Sequence, residues 1–257
     1  MKICLDAGHY GKYNQSPVNK KYYESEMTWK LHIYLKEELE KHGIKVVVTR
    51  SEQNKDLALT KRGNAAKGCD LFLSLHSNAC NTGSEDFPLA CCTVSGKADK
   101  IGKILADVTA KTMNTKQGGR IWKRQGNNGD YYGVLRGAAA VGVPGVLMEH
   151  SFHTNRRSTD WLLVDSNLKK LAAAEAQAIA EFYGIENPGK IEPAVSEGSY
   201  LVRVSIDNLN IRTGPGIGYK KTGRYTGKGI FTIVETKGNW GRLKAGGWIC
   251  LDYVARV

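Results

Sequence analysis

Long apolar runs are missing from this sequence of 257 residues. Its most hydrophobic stretch, residues 137–148, is short, rich in Ala and Gly and broken by Pro144, whereas a bilayer-spanning helix needs about 20 apolar residues. No membrane span is expected. Nor do the first residues read as a secretory leader: Asp6 interrupts them before an apolar segment forms, so the expectation is synthesis in the cytoplasm without a recognisable signal peptide. Cysteine is scarce. The six residues (Cys4, Cys69, Cys80, Cys91, Cys92, Cys250) show no CxxC or CxxH spacing, which argues against a disulfide scaffold and a thiolate metal site and for buried free thiols. No repeat of fixed period occurs, which excludes solenoids and propellers. With 41% hydrophobic and 24% charged residues, disordered and collagen-like chains drop out too.

Acidic residues are outnumbered: 37 Lys and Arg face 25 Asp and Glu, a formal net charge of +12. Residues 198–257 hold ten basic side chains against three acidic ones, a dense +7, whereas residues 1–184 carry the same excess far more thinly. A basic tail of this kind calls for an anionic partner. The texture divides at the same place. Residues 1–184 alternate short apolar runs with amphipathic stretches, as in an α/β domain with a mostly parallel twisted sheet and helices on both faces. Residues 185–198 mix Pro, Gly and Glu without period and read as a linker. Residues 199–257 contain about five short β runs punctuated by glycine, which predicts a small all-β barrel.

In the first region, residues 3–5 predict a strand, 27–42 a helix closed by Gly43, 44–49 a second strand and 57–67 a helix. Residues 70–76 predict a third strand whose continuous apolarity implies burial on both faces. Helices are expected at 101–113 and at 166–183, the latter N-capped by Ser166, and another strand at 143–148. His9, His76 and Glu149 then fall at strand ends, and the carboxyl ends of strands form the ligand edge of open α/β sheets. Two imidazoles and a carboxylate with an open fourth position are a common zinc set in hydrolases. Glu24, just ahead of the first helix, is placed to complete it, with Glu26 as the local competitor, and Glu149 then suits proton transfer. Spacing alone leaves alternatives. His32, His42, His150 and His153 are also available, and Glu24 is equally explained as an acid favouring a helix N-terminus.

Taken in order, Asp6-Ala7-Gly8-His9, the Glu before the first helix, Ser74-Leu75-His76-Ser77-Asn78-Ala79, and the run 143–155 with Pro144, Glu149 and His153 carry a resemblance. The set resembles the zinc-dependent N-acetylmuramoyl-L-alanine amidases of the amidase-3 type, found in bacterial wall-remodelling enzymes and phage endolysins. Thr49-Arg50, Leu59 with Arg62, and Val134-Leu135-Arg136 stand in register, and the likeness covers residues 1–183. It implies one zinc ion per catalytic domain, held by His9, Glu24 and His76, with Glu149 as the catalytic residue. Ala7 stands where many members have proline, Glu24-Ser25-Glu26 replaces an E-K-D sequence, and His150 replaces a small or apolar residue, read as a packing variation.

In the tail, Leu209-Asn210-Ile211-Arg212-Thr213-Gly214-Pro215-Gly216, Tyr219, Asn239-Trp240 and Gly247-Trp248-Ile249 resemble a bacterial SH3-type domain. That resemblance implies cell-wall binding, and Trp248 is expected in its core. The resulting expectation is a phage or bacterial peptidoglycan hydrolase cutting the amide between N-acetylmuramic acid and L-alanine. It would act on the wall after release or export, with peptidoglycan and anionic wall polymers as partners. Two rivals stand beside it: a zinc peptidase of the stem peptide, which the same ligand set would serve, and a basic nucleic-acid-binding protein suggested by the charge. The latter lacks an RNP-like strand or helix-turn-helix and leaves the His and Glu constellation unused. Oligomeric state is not legible.

Overall fold

In the computed structural model, which describes residues 1–185 and 199–257, the chain divides into two units, Met1–Lys190 and Ile191–Val257. The linker expected at 185–198 lies, apart from Ile185, outside the described residues. The first unit runs β1 (Lys2–Ala7), α1 (Glu24–Lys41), β2 (Lys45–Val48), α2 (Leu59–Asn64), β3 (Leu71–Asn78), β4 (Leu89–Cys92) and α3 (Asp99–Met113). It continues with β5 (Arg120–Trp122), the short hairpin β6 (Gln125–Gly126) and β7 (Gly129–Asp130), α4 (Gly133–Ala140), β8 (Gly145–Phe152), α5 (Arg156–Leu162) and α6 (Asp165–Phe182). Six strands form one sheet in the order β2-β1-β3-β8-β4-β5. All neighbours are parallel except β8 and β4, so the expected parallel sheet carries one reversal.

Period-two alternation sorts each strand's side chains to two cores. Ile3, Leu5, Leu71, Leu73, Leu75, Val146 and Met148 join Leu31, Leu35 and Leu39 of α1, Ile101 and Leu105 of α3, and Leu168, Leu171 and Ile179 of α6. The intervening Cys4, Phe72, Cys91 and Leu147 pack with Val134, Leu135 and Ala138 of α4 on the opposite face. Both faces of β3 are therefore covered, which is why its apolar run is continuous. Continuing the second set toward the carboxyl ends gives Asp6, Ser74, His76 and Glu149 on one face. The sequence pattern sets these ends short: β3 continues past His76 to Asn78, β8 continues past Met148 through Glu149 to Phe152, and Glu24 is the first residue of α1 instead of preceding it. Ser166 lies inside α6, whose N-cap is Val164 without a side-chain hydrogen bond.

Asp6 is fully buried and shows what holds this end of the sheet. Arg62 Nε and Nη2 donate to its two carboxylate oxygens at 2.8 and 2.7 Å, and Ser74 and Thr49 hydroxyls donate at 2.6 and 2.7 Å. Burial alone would raise the Asp6 pKa, yet the Arg62 charge and these hydrogen bonds bring it below the ordinary value. Arg62→Ala is expected to cost about 3–5 kcal/mol in urea denaturation, because it strands a buried carboxylate. A lowered folded pKa means stability present above the unfolded value of about 3.9 and lost as pH falls through the folded one. The variant should lose its acid resistance at a higher pH than the wild type, read from denaturation midpoints across a pH series.

The second unit is all β: β9 (Tyr200–Val204), β10 (Asn210–Arg212), β11 (Lys221–Tyr225), β12 (Gly229–Lys237), β13 (Trp240–Leu243), β14 (Trp248–Cys250) and β15 (Val254–Arg256). They form one sheet in the order β11-β10-β14-β13-β12-β9-β15 around Val202, Val204, Leu209, Ile211, Ile233, Leu243 and Ile249. Two edges remain, so strand pairing among the described residues does not close the expected barrel. The L-N-I-R-x-G-P segment has a structural reason. Ile211 enters the core, Arg212 Nη1 ties the following loop by donating to the carbonyls of Ile217 and Tyr219, and a Cβ on Gly214 would collide with the Tyr219 ring. Trp248 is only half-buried and outside the core cluster, because Ile249 takes the inward position beside it.

Candidate active site

Three chain segments meet where β1 and β3 end. Gly8 donates its N–H to the Leu75 carbonyl, and the backbone there approaches β3 so closely that a Cβ on Gly8 would stand 2.5 Å from His76 Cε1. This glycine sets His9 beside His76, their ring centres 5.0 Å apart and edge-on. Glu24, from the first turn of α1, reaches between them: its Oε2 lies 3.2 Å from His9 Nε2 and its Oε1 2.9 Å from His76 Nδ1. One donor atom from each of His9, Glu24 and His76 lies within 4.8 Å of the others. The Glu24 carboxylate is nearly inaccessible to solvent and is held by the Ser77 N–H and by Asn14 Nδ2, at 3.0 and 2.7 Å.

The electrostatics follow from this packing. Burial alone would raise the Glu24 pKa, but the hydrogen bonds and charge of His76 and His9 drive it below the ordinary carboxylate range. Burial pushes the His76 imidazole down, against the pull of Glu24. Glu149 behaves oppositely to Glu24. Paired in register with His76 on the neighbouring strand, it lines the same cleft, and its Oε2 is shielded from solvent with no hydrogen-bond partner. Burial, reinforced by the negative Glu24, holds its carboxyl well above the ordinary range. Two carboxyls in one cleft with oppositely displaced pKa values can divide their labour, one as a fixed anion and one as a proton carrier.

The cleft encloses about 370 Å³ and is completed by Leu59, Arg62, Tyr132 and Val134. His9, Glu24, His76 and Glu149, expected from the sequence, are thus brought together, and Glu26 lies apart in a small depression with Met27 and Lys30. The other histidines lie outside this donor set. His32 hydrogen-bonds the Trp29 carbonyl, and His42 caps the end of α1. His150 points to the opposite face of the sheet from Glu149, with Nε2 2.9 Å from the buried Glu175 and Nδ1 2.9 Å from the His76 carbonyl. His153 Nδ1 lies 2.9 Å from the Ser77 carbonyl, behind Glu24. Sequence reasoning missed Asn14, which touches both His9 and Glu24; a lone polar residue in an aperiodic loop carries no signal of its own.

The donor set fits a zinc ion: two imidazoles and one carboxylate converge, and a carboxylate oxygen without a partner faces the same cleft. The family model described as N-acetylmuramoyl-L-alanine amidase, Amidase_3, matches residues 3–181. The endolysin of Bacillus phage SPP1 is 29% identical over 216 residues, covering 80% of this chain and 76% of the phage protein. Among solved structures, the catalytic domain of CwlV, an N-acetylmuramoyl-L-alanine amidase from Bacillus (Paenibacillus) polymyxa var. colistinus, is similar in fold. Its TM-score is 0.62 at 21% identity, covering 72% of this chain and 99% of that one. Cwp6 from Clostridium difficile gives a TM-score of 0.60 at 28% identity over 70% of this chain, which spans 29% of Cwp6. With the match extending over β1 to α6, the chain belongs to the Amidase_3 family of N-acetylmuramoyl-L-alanine amidases.

Proposed function

We propose that this chain hydrolyses the amide between the lactyl group of N-acetylmuramic acid and L-alanine in peptidoglycan, with His9, Glu24 and His76 holding a zinc ion and Glu149 moving the proton. The observation that carries the reading is one cleft containing the compact His-Glu-His cluster and, on the adjacent strand, a carboxyl with high proton affinity. When bound, zinc supplies Lewis acidity toward an amide carbonyl and toward water. Asn14 and the Ser77 N–H fix the Glu24 carboxylate so that both imidazoles keep their orientation. Glu149 Oε2, free of other partners, accepts the proton of the attacking water and returns it to the departing amine of L-alanine. The second unit, with the +7 excess of its residues 198–257 and an SH3-like sequence pattern, would hold the enzyme on a wall bearing anionic polymers and raise its effective concentration on a polymeric substrate. Likeness to a phage endolysin supports a lytic role, and no helix among the described residues is long and apolar enough to cross a membrane.

Digestion of purified sacculi followed by mass spectrometry of the products tests the reading. Free amino-terminal L-alanine and intact glycan strands are expected, and the yield should vanish after treatment with a chelator and return with added zinc. Cleavage inside the stem peptide would install the zinc-peptidase alternative instead.

A further inference from the structure

The free edge of the first sheet carries an aromatic and basic strip outside the cluster just described. All three residues of β5 are exposed, and Trp122 and Tyr131 are 46% and 47% accessible. Trp122 pairs with Cys91, which pairs with Leu147, two residues before Glu149 on β8. Alternation therefore sends Trp122 from the same face of the sheet as Glu149, two strand spacings, about 10 Å, from β8. Tyr132 spans the interval: it lines the cleft and meets Tyr131 edge-on, ring centres 5.3 Å apart. The Arg124 guanidinium lies 3.5 Å from the Tyr131 ring centre and 5.7 Å from that of Trp122.

This strip is anchored. Tyr131 N donates to the Arg124 carbonyl across the β6–β7 hairpin at 2.9 Å, and the buried Asp130 accepts from Val94 N at 2.7 Å. Arg136 Nη1 donates to the Asp130 carbonyl at 2.8 Å, and Lys123 pairs with Asp99. Lysine and arginine on an edge strand are explained as protection against strand addition, but an exposed tryptophan works against that protection. A preorganised aromatic platform continuous with a cleft is what a ligand extending out of it requires.

We infer that Trp122, Arg124 and Tyr131 form a subsite for the glycan strand, taking N-acetylated pyranose rings beyond the muramoyl residue whose amide occupies the cleft. The inference rests on the amidase reading. The C–H face of a pyranose is apolar and weakly positive and stacks on the negative face of the Trp122 ring, while Arg124 offers N–H donors to hydroxyl and acetamido oxygens. A stem peptide would use the cations through its carboxylates but has no flat ring to place on Trp122.

The test uses the full chain labelled with nitrogen-15 and the indole Nε1–H resonance of Trp122, assigned by its loss in Trp122→Phe. A peptide-free hexasaccharide of alternating N-acetylglucosamine and N-acetylmuramic acid should shift this resonance saturably, and free stem peptide should not. No shift with the glycan, or a shift with the peptide alone, would overturn the inference. In parallel, Trp122→Ala should lower the ratio of kcat/KM on long glycan substrates to that on a single-sugar muramoyl peptide by about tenfold. An equal loss on both substrates counts against the subsite. The melting temperature of Trp122→Ala checks its folding. Failure of the amidase reading itself would appear separately, as a different bond cut by the wild type in sacculus digests.

Discussion

Glu149→Gln is expected to lower the rate at which L-alanine amino groups are released from sacculi by about 10²–10⁴-fold, the range for loss of a positioned general acid–base group. The substitution is close to isosteric, and the Oε2 it replaces has no hydrogen bond to lose, so melting temperature and zinc content should stay near those of the wild type. Because proton transfer matters in the transition state and not in binding, the loss should fall on kcat with KM little changed. Wild-type turnover by this variant would remove Glu149 from the reaction. Loss of zinc together with activity would instead make it a ligand.

His76→Ala is the second large effect. Removing a residue that merely orients a ligand costs about 10–100-fold in metal affinity, so removing a direct donor should cost more and leave the dialysed protein short of stoichiometric zinc. Turnover should fall by at least about a hundredfold in parallel, with activity partly restored at high added zinc. Metal analysis by plasma mass spectrometry, set beside circular dichroism, separates lost binding from lost folding. Stoichiometric zinc in a folded His76→Ala protein would rule out the ligand set. The close approach of Gly8 makes the same region sensitive to volume, since any side chain there meets the His76 ring and the Leu75 carbonyl.

How far the sequence led depends on how much local pattern each element carries. β3 was legible because its five consecutive residues 71–75 are buried between helices on both sides, and α1 because Leu31, Leu35 and Leu39 repeat at helical spacing. Its start was misread by three residues, since Glu24 and Ser25 are buried polar residues whose partners, His76, Tyr13 and Gly11, arrive from elsewhere. β4 escaped because Leu-Ala-Cys-Cys is too short to show a period, and β11 because Lys-Thr-Gly-Arg-Tyr is exposed throughout. Candidate site residues are reached through strand ends and resemblance, which point to His9, His76 and Glu149 individually. What spacing left undecided was the carboxylate. Tertiary packing selects Glu24 over Glu26 as neighbour of both imidazoles, a choice one helical turn contains but no periodicity expresses.

Among the described residues, four other than glycine adopt a left-handed backbone: His9, Asn14, Asn114 and Ser151. Two of them line the cleft and a third follows Glu149 by two positions, where the pairing of β3 with β8 shifts register. Such conformations cost of order 1 kcal/mol or more for a residue with a Cβ, and persist where the surroundings force them. A glycine at position 9 would relieve the cost and lose the imidazole. With His9 in its proposed role the chain keeps its chemistry at the expense of its own folding free energy, and selection for thermal endurance alone would drift toward sequences that fold better and cut nothing.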